Sequence, residues 1–197
     1  AIHPDKVKAM FRAELGSAPG LEGHYTEFEP PVAGARYAHG ADWAQARDFT
    51  DICSLRYDVN PWRLVAYERL HRRPWGEMLG RLDTRIRRYG GPACHDATAM
   101  GGSLVSEGLK EPADPVVMVG RVRRELFSEY VRGVEAGHVA APLVQSMARE
   151  HKCSTDDLYG SGHAPDSVVA MAMAYRAALH GLEFDPRLDL QTFDGTD

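Results

Sequence analysis

The sequence predicts a mixed α/β fold in which three antiparallel strands are followed by parallel strands, with helices flanking the sheet. Three observations support this prediction. Three apolar segments that are typical of strands follow one another between residues 35 and 71. The turn sequence "VNP" separates the second from the third, as in an antiparallel hairpin. Beyond residue 72, short apolar segments alternate with helical patterns.

The first part of the chain contains a short helical pattern, a Gly- and Pro-rich segment and three strands. The helical pattern covers residues 7–15, and the segment after it indicates a linker or an extended arm. The strands are expected at residues 35–42, 49–58 and 62–71.

The second part of the chain begins with an amphipathic helix. Pro74 suits its first turn, apolar residues follow at Met78, Leu82 and Ile86, and Gly90 ends it. The remaining elements are expected as strands at 92–96 and 115–120 and as helices at 102–109, 121–137, 141–151 and 163–181.

Length and composition indicate one globular domain. The chain has 197 residues, and no apolar run approaches the ~20 residues of a membrane-spanning helix. Its three cysteines form no CxxC pair, which argues against a zinc knuckle or a disulfide framework and is typical of a reducing cytoplasm. We expect residues 1–34 to be a linker or N-terminal arm, residues 35–182 the domain, and residues 183–197 an acidic tail.

The charge distribution leaves two interpretations open. The net charge of −5 does not indicate nucleic-acid binding, but arginines cluster within residues 69–88 and 121–124. Such clusters are either solvated helix faces or a local phosphate-binding surface. The chain contains no GxxxxGK[ST], so it predicts no ATP site of the Walker type, and GxSxG, HExxH and GxGxxG are also absent.

Three aspartates lie at the ends of apolar elements. Asp42 ends the first of the three strands, Asp96 ends the strand at 92–96, and Asp166 opens the last helix. Each could be a turn residue or an N-cap. In a mixed sheet, however, the first strand and the strand after the crossover helix can be neighbours. Their ends would then bring Asp42 and Asp96 together, and the small residues of the last helix would let Asp166 approach.

Carboxylates that converge repel one another unless cations neutralise them. Mg²⁺ and Mn²⁺ prefer oxygen ligands, and two such ions can activate water and stabilise the leaving oxygen in phosphodiester hydrolysis. The pattern therefore predicts a site for two Mg²⁺ or Mn²⁺ ions at Asp42, Asp96 and Asp166.

Around these acids, the sequence resembles the nuclease domain of the large terminase subunit of tailed bacteriophages. The resemblance covers about residues 35–182. It depends on "HGADWAQARDFTDI", "CHDATAMGG" and "GHAPDSVVAMAMAYRAA", with 54 and 70 residues between successive acids. It implies an RNase H-like fold with Asp42, Asp96 and Asp166 as the catalytic, metal-binding acids.

The resemblance also implies a function. The chain would be an endonuclease that cuts concatemeric double-stranded phage DNA in the host cytoplasm during genome packaging, with little sequence specificity. An ATPase domain would precede it, and the portal and the small terminase subunit would be partners. Two alternatives remain open: another RNase H-like nuclease, such as a junction resolvase or a hybrid nuclease, or a non-catalytic module that binds DNA or the portal.

Further residues near these motifs are candidates for accessory roles. Asp48 is either an accessory ligand or a turn residue. Trp43, His95 and His163 are expected to be packing or structural residues. The candidates for holding the DNA backbone are Lys110, Arg121, Arg123 and Arg124.

Overall fold

A computed structural model of the chain describes residues 1–43, 49–98 and 103–183, and it confirms the mixed α/β fold. The strands are β1 (Phe11–Ala18), β2 (His24–Glu27), β3 (Tyr37–Asp42), β4 (Phe49–Arg56), β5 (Trp62–His71), β6 (Ala93–Asp96), β7 (Asp114–Val116) and β8 (Val139–Val144). The helices are α1 (Pro4–Met10), α2 (Trp75–Tyr89), α3 (Ser103–Gly108), α4 (Gly120–Glu135), α5 (Gln145–Glu150), α6 (Thr155–Tyr159) and α7 (Asp166–Glu183).

The eight strands form one mixed sheet. Its order is β1-β8-β5-β4-β3-β6-β7, and β2 pairs with β5 beside this path. The β3, β4 and β5 strands are antiparallel to their neighbours within that trio, as the sequence predicts. On one side β6 and β7 continue the sheet in parallel from β3, and on the other β8 and β1 continue it in parallel from β5.

Helices cover both faces of the sheet, which explains why its central strands are apolar rather than alternating. The α7 and α4 helices pack on one face, and α2 packs on the other with α3 beside it. Every residue of β3 is buried as a result. The polar His39 is tolerated there because its imidazole contacts both the Ser54 hydroxyl and the Gly90 carbonyl at 2.8 Å.

The α7 helix lies unusually close to β3. A Cβ atom on Gly40 would come within 2.1 Å of the Ala170 carbonyl oxygen and 2.2 Å of the Ala174 nitrogen. Glycine in the strand and alanines in the helix therefore let the two backbones touch. This contact fixes where the first turn of α7 lies relative to the end of β3.

The N-terminal segment differs from its prediction as a linker or arm, because β1 and β2 lie within residues 1–34 and pair with β8 and β5. The β1 strand is interrupted by a register shift between Arg12 and Ser17, and Gly16 has a φ of +118°. A strand broken in this way shows no regular alternation in the sequence, so its glycines and prolines indicate a loop instead.

The prediction of a helix at residues 141–151 is half wrong. Residues up to Val144 belong to β8, and α5 begins only at Gln145. The strand is favoured because it is held between β1 and β5, a long-range pairing that overrides local helical preference. The predicted strand at 115–120 is shorter than expected, since β7 ends at Val116.

Among the helices that the structure describes, none combines the length and apolar character needed to cross a membrane.

Candidate active site

Asp42 and Asp96 lie side by side at one edge of the sheet. The β3 and β6 strands are parallel, with Gly40 opposite Cys94 and Ala41 opposite His95, so the next residues along the two strands are the two aspartates. Neighbouring strands are about 4.8 Å apart. Asp42 is buried and Asp96 is half-buried. The sequence prediction that these two acids meet is therefore consistent with the strand order and register.

The carboxylate of Asp96 is oriented by Thr98. The backbone nitrogen and the hydroxyl of Thr98 both donate to Asp96 Oδ1, at 2.8 and 2.5 Å. The same hydroxyl accepts a hydrogen bond from the Met118 nitrogen at 2.8 Å, which ties the turn to the segment after β7. Sequence reasoning missed Thr98, although an Asp two residues before a Thr in a turn is the pattern that signals such a bond.

Asp166 lies in the first turn of α7 and is 8% exposed. Its Oδ2 accepts a hydrogen bond from the Phe49 nitrogen at 3.0 Å, and its Oδ1 lies 3.9 Å from His163 Nε2. Phe49 begins β4, whose pairing with β3 sets Asp51 opposite Asp42. The third acid is thus held beside the strand end that carries Asp42.

A cleft of about 260 Å³ opens where these elements meet, and we call it the acid cleft. Asp42 and Asp96 line it directly. Asp166 borders it, because Ala164 and Val169, on either side of it in the chain, are part of the wall. The remaining lining residues are Trp43, Thr98, Met118, Arg123, Ser161, Gly162 and His163.

A buried ionic network fixes the start of α7. Arg69 donates two hydrogen bonds to Asp51, at 2.8 and 2.6 Å, and also pairs with Glu150 at 2.7 Å. Glu150 Oε2 then accepts from the Ser167 nitrogen at 3.1 Å and from its hydroxyl at 2.5 Å. The network therefore links the sheet to the residue after Asp166, and its members are too far apart in the sequence for any motif to reveal them.

The pKa of the Asp51 carboxyl indicates that this network lies close to Asp166. Burial raises the pKa of the Asp51 carboxyl to about 7, and the hydrogen bonds from Arg69 oppose that rise. Repulsion from Glu150 and Asp166 adds to it. Arg69 is thus paired with the carboxylates of Asp51 and Glu150 next to the acid cleft.

The structure separates the four basic candidates. Arg123 lines the acid cleft, but its guanidinium donates to the carbonyl oxygens of Asp157, Leu158 and Gly162, at 2.7 to 2.8 Å. It therefore holds the end of α6 and the loop after it, and that loop forms one wall of the cleft. Since carbonyl oxygens carry no net charge, the guanidinium still contributes its positive charge to the cleft.

The other three basic candidates lie outside the acid cleft lining. Arg121 and Arg124 line a neighbouring hollow on α4, where Arg121 pairs with Glu125 at 2.5 Å. Lys110 is exposed after α3, and its backbone nitrogen donates to Asp83. The structure thus brings one of the four, Arg123, to the three acids.

Trp43 and His95 pack against each other beneath the cleft. The indole nitrogen of Trp43 donates to His95 Nδ1 at 3.1 Å. Burial lowers the pKa of His95, which keeps the ring neutral. Both residues are buried, as expected for packing residues. Asp48 lies outside the described residues.

The side chains that line the acid cleft are suited to bind a hard divalent cation. Two carboxylates, Asp42 and Asp96, line it together with one guanidinium, and Asp166 borders it. Carboxylate oxygens are the ligands that Mg²⁺ and Mn²⁺ prefer, and a cation would offset the repulsion among them. The open side of the cleft leaves room for a phosphate group.

Comparison with solved structures shows where this fold recurs. The structure is similar to the large terminase nuclease of the thermophilic phage G20c, which has been crystallised with zinc, cobalt and magnesium bound. For the zinc-bound form the TM-score is 0.70 at 21% identity, covering 87% of this chain and 95% of that chain. The nuclease domain of the Thermus phage P74-26 large terminase gives 0.65 at 23% identity, covering 87% and 93%.

A longer protein shows the same likeness at lower identity. The HK97 bacteriophage large terminase gives a TM-score of 0.58 at 10% identity, covering 88% of this chain but 42% of that chain. No protein-family model and no curated protein matches the sequence. The resemblance inferred from the sequence is confirmed at the level of the fold: the chain has the fold of large terminase nuclease domains.

Proposed function

We propose that the protein is a metal-dependent DNA endonuclease that cuts concatemeric phage DNA during genome packaging. The observation that carries this proposal is the position of Asp42 and Asp96, side by side at the ends of two parallel strands and facing one open cleft. The likeness to terminase nucleases crystallised with divalent metals supports the same conclusion.

Three acids would hold two Mg²⁺ or Mn²⁺ ions. Asp42 and Asp96 would bind from the cleft floor, with Asp96 using Oδ2 because Thr98 occupies Oδ1. Asp166 would complete the site from the first turn of α7. When bound, the ions supply Lewis acidity and a water of lowered pKa for attack on the phosphodiester.

The protein residues around the acids position the substrate and the site. Arg123 holds the end of α6 and the loop after it and contributes positive charge where a scissile phosphate would lie. The ionic network at Glu150 keeps the start of α7 against the sheet. These contacts hold the acids in place against the repulsion between their carboxylates.

The DNA would be held by its backbone. Arg121 and Arg124 would extend the contact along α4, and Lys110 would add a further phosphate contact. Backbone contacts position a duplex without reading its sequence, so we expect little sequence specificity.

The packaging context is part of the proposal. The match to the HK97 large terminase covers 42% of that chain, which is consistent with a nuclease unit in a larger motor protein. We propose that an ATPase domain precedes this chain in the full-length protein, that the portal and small terminase subunit are partners, and that the protein acts in the host cytoplasm.

Cleavage of supercoiled plasmid tests the proposal. The wild-type chain should nick or linearise the plasmid with Mn²⁺ or Mg²⁺ and should be inactive with EDTA. Asp96→Asn should lower the rate at least about 100-fold, because it removes a charged ligand. Asp58→Asn is the matched control, since Asp58 follows a strand end but pairs with Arg56 away from the acid cleft.

The outcomes separate the proposal from its rivals. Cutting that persists in EDTA, or full activity in Asp96→Asn, would refute it. A strong preference for branched DNA or an RNA–DNA hybrid over linear duplex would reassign the substrate. DNA binding without any metal-dependent cleavage would favour a binding module instead.

A further inference from the structure

A second group of metal-ligating side chains lies near the far end of α7. Cys94, Asp114 and His180 place a thiol sulfur, a carboxylate oxygen and an imidazole nitrogen within 4.8 Å of one another. These three residue types are the ligands that zinc and related ions take in proteins. None of the three lines the acid cleft.

The fold itself brings these residues together. Cys94 on β6 is directly opposite Asp114 on β7 in the parallel register. His180 lies in the last turn of α7, which packs across β6. Three separate elements thus contribute one ligand each, and the strand register fixes two of them.

Burial differs among the three residues in a way that suits an accessible site. Cys94 is fully buried at the edge of the core, whereas Asp114 and His180 are exposed. The sulfur therefore forms a rigid floor, and the two exposed side chains can close over an ion that arrives from solvent. The ligand atoms around a tetrahedral ion lie closer to one another than 4.8 Å. The exposed side chains of Asp114 and His180 can rotate to bring their ligand atoms that much closer to the sulfur.

The surrounding charges do not exclude a cation. The positive charge of Arg176 acts on Cys94, but its guanidinium is held by Glu129 at 3.2 Å. The carboxylate of Asp114 supplies negative charge at the site itself.

We propose that Cys94, Asp114 and His180 form a binding site for a borderline divalent ion such as Zn²⁺ or Co²⁺, separate from the acid cleft. Thiolate and imidazole ligands favour these ions, whereas Mg²⁺ prefers oxygen ligands. Binding replaces the thiol proton with the metal, and the proton is released to solvent. An ion here would bridge β6, β7 and α7 at the edge of the sheet.

Co²⁺ titration of the reduced protein tests this site, because a cysteine–cobalt bond gives a charge-transfer band in the near ultraviolet. The wild-type chain should show that band, and Cys94→Ser should lose it. His180→Ala and Asp114→Asn change exposed side chains, so they should fold normally and weaken Co²⁺ binding at least about tenfold.

Two control variants identify the ligands. Cys153→Ser should keep the band, since Cys153 is not part of the group. Asp96→Asn should also keep it, because Asp96 belongs to the acid cleft. The proposal is overturned by a wild-type chain without the band at saturating Co²⁺, by a band that survives Cys94→Ser or disappears in Asp96→Asn, or by unchanged affinity in both exposed-ligand variants.

Discussion

Adding a single methyl group at Gly40 should disturb both the fold and the acid cleft. In Gly40→Ala, the new Cβ would lie 2.1 Å from the Ala170 carbonyl oxygen and 2.2 Å from the Ala174 nitrogen. Real Cβ contacts are essentially never shorter than 3.0 Å, so β3 and α7 must separate by about 1 Å. Both obstacles are backbone atoms, which means that no side-chain rotation can relieve the clash.

The separation has a cost that can be measured in two ways. Overpacking of this kind destabilises a core by about 1–3 kcal/mol, which should appear as a lower urea midpoint. Asp42 ends the strand and Asp166 begins the helix, so the same shift changes their spacing. A misplacement of about 1 Å at a catalytic site costs on the order of 100-fold in rate, which Mn²⁺-dependent plasmid cleavage would report.

Gly80→Ala is the matched control, because Gly80 lies within α2 and a Cβ there meets no atom within 4 Å. Alanine is favoured over glycine in a helix by about 1 kcal/mol, so this variant should be more stable and equally active. If Gly40→Ala matched wild type in both urea midpoint and cleavage rate, the close approach of β3 and α7 would not position the acids.

Three further predictions concern single side chains. Burial lowers the pKa of His39 to about 3. Below pH 6.5 the unfolded chain therefore binds a proton that the folded chain does not, and the free energy of unfolding falls as the pH drops. When urea unfolding is compared at pH 7 and pH 5, His39→Gln should lose about 2 kcal/mol less stability than the wild-type chain. Thr98→Val removes the hydroxyl that orients Asp96, so the cleavage rate should fall about 10- to 100-fold. The free energy of unfolding should fall by only about 1 kcal/mol. An unchanged cleavage rate would show that Thr98 does not orient a catalytic acid. Glu150→Gln weakens the link between the sheet and α7 and should weaken Mn²⁺ binding in calorimetry, whereas Glu129→Gln, which alters a part-buried pair with Arg176 that does not line the acid cleft, should not.

The strand order around the acids could be predicted from the sequence because each element carries a local signal. The hairpin turn before Pro61 and the glycines that end α2 divide the chain at the right places. Asp42, Asp96 and Asp166 each stand at the end of an apolar segment, and the ends of parallel strands meet at one edge of a sheet. Two of these three acids line the cleft, and the third borders it.

Contacts between distant parts of the chain could not be predicted. The partners of Glu150 are Arg69 and Ser167, one of them 81 residues away in the sequence. Arg123 is predicted as one of several basic residues that hold DNA, and its hydrogen-bond partners in the fold are backbone carbonyls at the end of α6 and in the loop beside the cleft. Such roles depend on packing, and a single sequence contains no local pattern for them.

The N-terminal strands illustrate a different limit. The β1 strand contains Gly16 and is broken in register, so local propensity favours a loop there. Its pairing with β8 is decided by tertiary contacts, and the same pairing converts residues 141–144 from a predicted helix into a strand. Local signals failed at this edge of the sheet because β1 and β8 pair with each other, and neither has a clear strand pattern of its own.

Anomalous scattering from crystals grown with Mn²⁺ would test the proposed metal site most directly. We expect a Mn²⁺ peak about 2.2 Å from carboxylate oxygens of both Asp42 and Asp96, and loss of that peak in Asp96→Asn. A cleft that stays without a peak at saturating Mn²⁺ would contradict the proposal that these acids form the metal site of a nuclease, whether or not Mn²⁺ binds elsewhere on the chain.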